Sequence, residues 1–193
     1  SKRCPMLKPL IGEKIAVLVA NGFTESHLLE AQRLLQDMGA TLKVISPSQG
    51  LVNGWDGQAW GHNFAVDVSL NTALGVDYAG LVIPGGQQSI EKLKQTAHSR
   101  RFIGSFMAAQ KPVAVMEDAI GIMAHVEQVN GCAVSGPLSM QEICEEAGAL
   151  WQESPISTSG CMITGSFSEE TYKEYLGLMR DIFSHRIMLE KAA

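Results

Sequence analysis

The segment from residue 14 to residue 20 is an almost continuous apolar run, Lys14-Ile-Ala-Val-Leu-Val-Ala20. Such a run is typical of a central parallel strand that is buried on both faces. A helix is predicted next, because apolar residues recur at helical spacing up to Met38 and Gly39 follows where a left-handed cap is expected. Thr41–Ser46 is the next predicted strand. This strand–helix–strand unit indicates a fold built on a parallel sheet.

The same pattern continues along the chain and predicts a single α/β domain of flavodoxin-like type. Its sheet should be doubly wound and mostly parallel, with helices on both faces. We assign residues 14–189 to this domain and residues 1–13 to an N-terminal extension. The later predicted strands are 80–86, 112–115, 132–134, 156–159 and 162–164, and the later predicted helices are 89–109 with a break near 96–98, 118–125, 140–147 and 168–189.

Residues 50–69 depart from this pattern. Glycines punctuate the segment, and Ala65–Val68 alternates in polarity, so short strands or a hairpin are predicted. Trp55, Trp60 and His62 lie in this excursion. The two Trp side chains either form an anchored contact surface between subunits or cover the edge of the sheet.

The composition excludes several classes of function. The 193-residue chain has a formal net charge of -5 and scattered Lys and Arg, so no nucleic-acid footprint is expected. No apolar run reaches the ~20 residues of a membrane span, and the first residues lack the pattern of a signal peptide. We therefore expect a cytoplasmic protein with no membrane partner. The four cysteines show no CxxC spacing, so we expect free thiols, no metal and no cofactor.

A sharp strand-to-helix turn is predicted after Pro112–Val115. Turns of this kind present the nucleophile of many hydrolases, but here the turn carries Met116, Glu117 and Asp118. Pro84 precedes a second tight turn, at Gly85 and Gly86. Glycines at such a strand end leave backbone N–H groups pointing into the crevice.

Together these segments resemble the ThiJ/PfpI superfamily, which is related to class I glutamine amidotransferase domains. The resemblance covers roughly residues 14–185. The family pattern implies a reactive Cys at the turn, a position that maps to Glu117, or to Met116 or Asp118 if the register slips by one. It implies an acidic residue where this chain has His27, and Arg-His-Pro where this chain has 165–167. The matching pieces are 14–18, Gly22-Phe23, Leu81-Val-Ile-Pro-Gly-Gly86, Lys111-Pro-Val-Ala114, Gly131, Glu145–Trp151 and the last helix.

These departures define the candidate site. Glu117, His27 and Asp118 are candidate catalytic residues, as acid/base groups, with the alternatives that the carboxylates cap a helix and that His27 makes a single hydrogen bond. Gly85 and Gly86, whose family counterparts bind an oxyanion, are candidate ligand-binding residues together with Glu25 and Met116. A metal site from His27, Glu25 and Glu117 has no supporting ligand spacing.

Three functions follow from this resemblance. The first is a stress-associated homodimer that binds a small molecule and does not hydrolyse it, because a Met or carboxylate cannot replace a thiolate. The second is an enzyme that uses Glu117 and His27 for acid/base chemistry on a small carbonyl or amide. The third is a chaperone-like or structural module similar to the C-terminal domain of large catalases.

Overall fold

The computed structural model describes residues 8–193, so the first half of the predicted N-terminal extension, including Cys4, lies outside the described residues. Within these described residues, twelve strands and six α-helices follow in chain order. The strands are β1 Lys14–Leu18, β2 Phe23–Thr24, β3 Thr41–Ser46, β4 Leu51–Trp55, β5 Trp60–Ala65, β6 Val68–Ser69, β7 Gly80–Ile83, β8 Val113–Met116, β9 Ala133–Val134, β10 Leu150–Trp151, β11 Ile156–Ser159 and β12 Met162–Gly165. The helices are α1 Glu25–Asp37, α2 Gln87–Leu93, α3 Ala97–Ala108, α4 Ile120–His125, α5 Gln141–Glu146 and α6 Glu169–Ala192.

The central sheet has seven strands in the order β11-β12-β8-β7-β1-β3-β6. All neighbouring pairs are parallel except β11 and β12, which are antiparallel. The predicted mostly parallel α/β fold is therefore confirmed. Because the strands are parallel, the turns after β1, β7 and β8 meet at one edge of the sheet.

The core lies on both faces of this sheet, as the apolar run in β1 predicted. Ile15 and Val17 pack with the first helix and the last, α1 and α6. Ala16 and Leu18 pack on the opposite face with residues of α2, α3 and α4. Alternate residues of a strand point to opposite faces, so a strand between two helical layers must be apolar throughout.

The excursion forms a separate small sheet. Strands β4 and β5 are an antiparallel hairpin, and β2 adds to β4 in parallel. This hairpin therefore lies beside the start of α1, which follows β2 directly. Among residues 8–193 the structure contains no helix of sufficient length and apolarity to cross a bilayer.

Candidate functional site

The turn after β8 places Glu117 in a left-handed backbone conformation, with φ 53°. Met116 ends the strand, and a 3-10 turn, Glu117–Ala119, leads directly into α4. Two other residues that are not glycine have positive φ, Gln110 and Glu127, but each follows the end of a helix. A left-handed residue is ordinary at a helix end, whereas between a strand and a helix it marks a strained turn. The predicted sharp turn is thus present, with Glu117 at its centre.

The Glu117 carboxyl group is half-buried, and burial raises its pKa above the ordinary value. The backbone amide of Phe167 opposes this rise and the neighbouring Asp118 carboxylate adds to it. A carboxyl group with a raised pKa can hold a proton closer to neutral pH, as a general acid requires.

The amides of Gly85 and Gly86 already have acceptors within the chain. The Gly85 N–H donates to His27 Nδ1 at 3.0 Å, and the Gly86 N–H donates to Asp118 Oδ1 at 2.9 Å. The sequence predicted amides that face the crevice and bind an anion or a carbonyl. With both N–H groups engaged, the surface at Gly85 and Gly86 presents hydrogen-bond acceptors. Asp118 places a carboxylate where a bound anion would sit, so the predicted anion binding is disfavoured.

His27 is buried, and desolvation lowers its pKa from 6.5 to about 4. Its imidazole is therefore neutral at pH 7. Because Nδ1 accepts the Gly85 N–H, we assign the ring proton to Nε2. Within residues 8–193, His27 and Glu117 form neither a hydrogen bond nor an ion pair. The proposed His–carboxylate couple is thus not assembled as a direct contact.

Glu25 lies under the β4–β5 hairpin. Its Oε1 accepts the backbone N–H of His62 at 2.7 Å and lies 3.0 Å from His62 Nδ1. A Cβ atom at Gly61 would come within 2.7 Å of the same carboxylate, so glycine is required there for the close approach. Glu25 therefore fastens the hairpin to α1, and its carboxylate oxygen is engaged in that contact.

The sequence predicts no site role for Tyr172, and it marks Phe167 only as part of the 165–167 departure from the family pattern. Their rings stack with centroids 4.5 Å apart, and the His27 ring meets Phe167 edge-on at 5.5 Å. Among the described side chains, the Tyr172 hydroxyl is the buried oxygen or nitrogen that has no hydrogen-bond partner. The nearby charges that raise the Tyr172 pKa further, after burial, are Glu30 and Glu117. These aromatic contacts join α1 to α6, and no short motif signals them.

A groove of about 380 Å³ runs beside the turn. Its lining includes Gly136, Trp151 and Ser166. A Cβ atom at Gly136 would lie 3.6 Å from the Glu117 carbonyl oxygen and 3.7 Å from the Trp151 ring. Gly136 therefore keeps the space between the turn and Trp151 open. Met116, the remaining predicted ligand-binding residue, is fully buried and packs in the core below the turn.

Comparison with known proteins matches residues 13–177 to the model of the DJ-1/PfpI family. The chain belongs to the DJ-1/PfpI family. Its relatives include General stress protein 18 of Bacillus subtilis, 29% identical over 72% of this chain and 79% of that protein. Protein DJ-1 homolog D of Arabidopsis thaliana is 33% identical over 79% of this chain and 42% of its own length. A ThiJ/PfpI domain protein of Brachyspira murdochii has the same fold, with a TM-score of 0.79, 17% identity, and coverage of 91% of this chain and 98% of that one.

In this DJ-1/PfpI domain the described thiols lie away from the turn. Cys161 accepts, through its carbonyl, the N–H of Val113 at the opposite end of β8 from Glu117. Cys144 is fully buried in α5, and burial raises its pKa to about 11. Cys132 lies before β9, where its thiol contacts the carbonyls of Gln128 and Asn130. Among residues 8–193 no group of three or more His, Cys, Asp or Glu side chains is arranged to hold a metal ion.

Proposed function

We propose that this protein is a DJ-1/PfpI family member that lacks the thiol nucleophile and binds a small molecule noncovalently, as a cytoplasmic, stress-associated homodimer. The observation that carries the proposal is Glu117 at the strained turn, with φ 53°. A carboxylate is a poor nucleophile toward amides and carbonyls, so covalent thiol chemistry has no group to start from at this position. The stress association is supported by the relative named General stress protein 18.

Turnover assays test this proposal directly. We expect wild-type protein to show no peptidase, glyoxalase or esterase turnover above background, and Glu117→Ala to behave in the same way. Glu127→Ala is the matched control, because Glu127 has a similar backbone conformation, φ 61°, at an exposed helix end. Robust turnover that Glu117→Ala abolishes and Glu127→Ala preserves would contradict the noncovalent proposal.

The raised pKa of Glu117 supports a second candidate function, acid/base catalysis on a small carbonyl or amide. In this case Glu117 would be the titrating group, since neutral His27 is a fixed hydrogen-bonding group near pH 7. The candidate predicts a pH-dependent activity that Glu117→Gln removes. An activity that survives both Glu117→Gln and His27→Asn excludes it.

The hairpin supports the proposed dimer. Trp55 and Trp60 meet edge-on with ring centroids 5.5 Å apart, and Trp60 remains 51% exposed. Aromatic residues of this kind are enriched at protein interfaces. We expect Trp60→Ser to weaken association in sedimentation velocity, whereas Val76→Ser, which removes an exposed apolar side chain elsewhere, should not.

The chaperone-like alternative stays a prediction. Suppression of client aggregation by the isolated protein, independent of any ligand, would favour it over small-molecule binding. Glu117→Ala should leave such suppression unchanged, since a surface that binds unfolded clients does not depend on the turn.

A further inference from the structure

The groove beside the turn belongs to a larger surface that has an exposed leucine at its centre and acidic side chains at its rim. A second groove of about 350 Å³ shares Leu138 and Gln141 with the first, so the two grooves adjoin at these residues. Leu138 is 77% exposed, so its apolar side chain is free to contact a partner. Trp151 and Pro155 provide further apolar lining in the first groove. We call this surface the Leu138 groove.

Four glutamates surround the Leu138 groove, and all are exposed. Glu142, Glu145 and Glu146 line it on the α5 side and Glu153 lines it on the Trp151 side. Among residues 8–193 none of the four takes part in an ion pair. Their charges are therefore available to a partner.

The segment of the chain that forms this surface carries only negative charges, and four of its glutamates line the groove. Between His125 and Lys173 the sequence has seven glutamates and not a single Asp, Lys, Arg or His. This segment alone exceeds the formal net charge of -5 of the whole chain, so the remainder is slightly positive. A large field of one sign attracts a partner of the opposite sign and speeds its association.

We propose that the Leu138 groove binds a basic peptide segment, one in which Lys or Arg residues flank an apolar side chain. The apolar side chain packs on Leu138 and Trp151, and the flanking cations pair with the glutamates on both sides. Charge complementarity selects a cationic partner, and the exposed leucine at the centre selects a peptide over a purely polar polyamine. The proposal does not depend on the chemistry of Glu117 and stands apart from the proposed function.

Fluorescence anisotropy with a labelled hexapeptide, which carries three basic residues around one leucine, tests the proposal. We expect saturable binding to wild-type protein that weakens as salt rises from about 0.05 to 0.5 M, because exposed ion pairs are screened. A peptide with glutamates in place of the basic residues should not bind. Replacing its leucine by serine should weaken binding about fivefold, as expected for the loss of a partly buried apolar contact.

Two protein variants locate the site. Leu138→Ser and Glu145→Gln/Glu146→Gln should each weaken binding, the double variant by about threefold to tenfold. The matched control is Glu174→Gln/Asp181→Asn, which removes two exposed charges from α6 outside the groove and should bind like wild type. An equal loss in the control variant, or full binding by Leu138→Ser, would overturn the proposal. Tight binding of spermine, a polycation with no apolar side chain, would also overturn it. So would sedimentation data showing that the protein self-associates through this groove and thereby displaces the peptide.

Discussion

At the scale of single residues, Glu117 combines two unfavourable features. Its left-handed backbone conformation costs a non-glycine residue about 1–2 kcal/mol, and burial of its carboxyl group raises the pKa. Gln110 has a similar φ of 58° but ends a helix and is exposed. The two positions share the cost of a left-handed backbone and differ in side-chain burial. Comparing substitutions at both positions therefore separates the free-energy cost of backbone strain from that of burial.

Replacement of Glu117 by glycine should therefore stabilise the protein. We expect Glu117→Gly to raise the free energy of unfolding by about 1 kcal/mol, as strain and burial of the carboxylate are relieved and the greater freedom of the unfolded chain offsets part of the gain. Gln110→Gly relieves only the backbone strain, so its gain should be smaller. Urea denaturation at pH 7 measures both. A loss of stability in Glu117→Gly alone would mean that the carboxylate has a favourable contact that outweighs its burial.

A thiol placed at this turn should be poorly reactive. Burial and the adjacent Asp118 carboxylate both disfavour a thiolate, so Glu117→Cys should have a thiol pKa above the ordinary value of about 8.5. In Glu117→Cys/Asp118→Asn the negative charge is gone while the amide oxygen can still accept the Gly86 N–H, so the pKa should fall. Alkylation rates against pH, with the modified residue mapped by mass spectrometry, measure both. Equal pKa values in the two variants would show that Asp118 does not control the turn.

At the scale of secondary-structure elements, local signals were predictive and tertiary contacts were not. The break near residue 96 is confirmed, since Thr96 Oγ1 accepts the His98 N–H at the start of α3. The predicted start of the last helix at residue 168 is confirmed, since Ser168 and Thr171 cap α6 with a reciprocal pair of hydrogen bonds. Strand β2, by contrast, was not predicted, because a two-residue strand depends on pairing with β4, far along the chain.

The candidate site follows the same division. Glu117 could be placed at the turn from sequence because a buried strand and a helix flank it directly. The acceptors of the Gly85 and Gly86 amides could not, since His27 and Asp118 come from other segments of the chain. Tyr172 could not be predicted from sequence, because it stands out only through a buried hydroxyl that finds no hydrogen-bond partner among the described residues.

Two tyrosines of α6 offer a matched comparison of satisfied and unsatisfied hydroxyls. The Tyr175 hydroxyl donates to the carbonyl of Val115 at 2.7 Å, whereas the Tyr172 hydroxyl has no partner among the described residues. Removing a bonded hydroxyl leaves a buried acceptor unpaired, so Tyr175→Phe should lower the free energy of unfolding by about 1–2 kcal/mol. Tyr172→Phe removes an unpaired polar atom and should raise it by up to about 1 kcal/mol. Thermal denaturation monitored by circular dichroism distinguishes the two signs, and a loss in Tyr172→Phe would reveal a partner such as bound water.

At the scale of the whole molecule, the protonation of buried His27 at the sheet edge affects the free energy of unfolding. His27 lies in the first turn of α1, and its Nδ1 accepts the Gly85 N–H from the turn after β7. Its ring also contacts Phe167 and Tyr172, before and at the start of α6. A proton on this ring would break the Gly85 hydrogen bond and place a charge in the core layer. Protonation of one side chain is thus coupled to packing between three elements.

The unfolding free energy should therefore decrease in mildly acidic solution. The unfolded chain protonates His27 with a pKa near 6.5 and the folded chain only near pH 4, so between these values the unfolded state binds more protons. The contribution of neutral His27 to the free energy of unfolding is fully present above pH 6.5. It is lost as pH falls toward about 4, by up to about 3 kcal/mol. Glu117 has the opposite effect on the unfolding free energy, because its raised pKa lets the folded state bind a proton first as pH falls. Glu117 is present in both wild type and the His27→Asn variant, so its effect cancels in their comparison.

His27→Asn removes the titrating ring while Oδ1 can still accept the Gly85 N–H. Its unfolding free energy should change less between pH 6.5 and 4.5 than that of wild type, as measured by urea denaturation at several pH values. His185→Asn removes an exposed imidazole and should retain the wild-type slope. If His27→Asn keeps that slope as well, His27 is already protonated in the folded protein, and its hydrogen bond with Gly85 must be assigned differently.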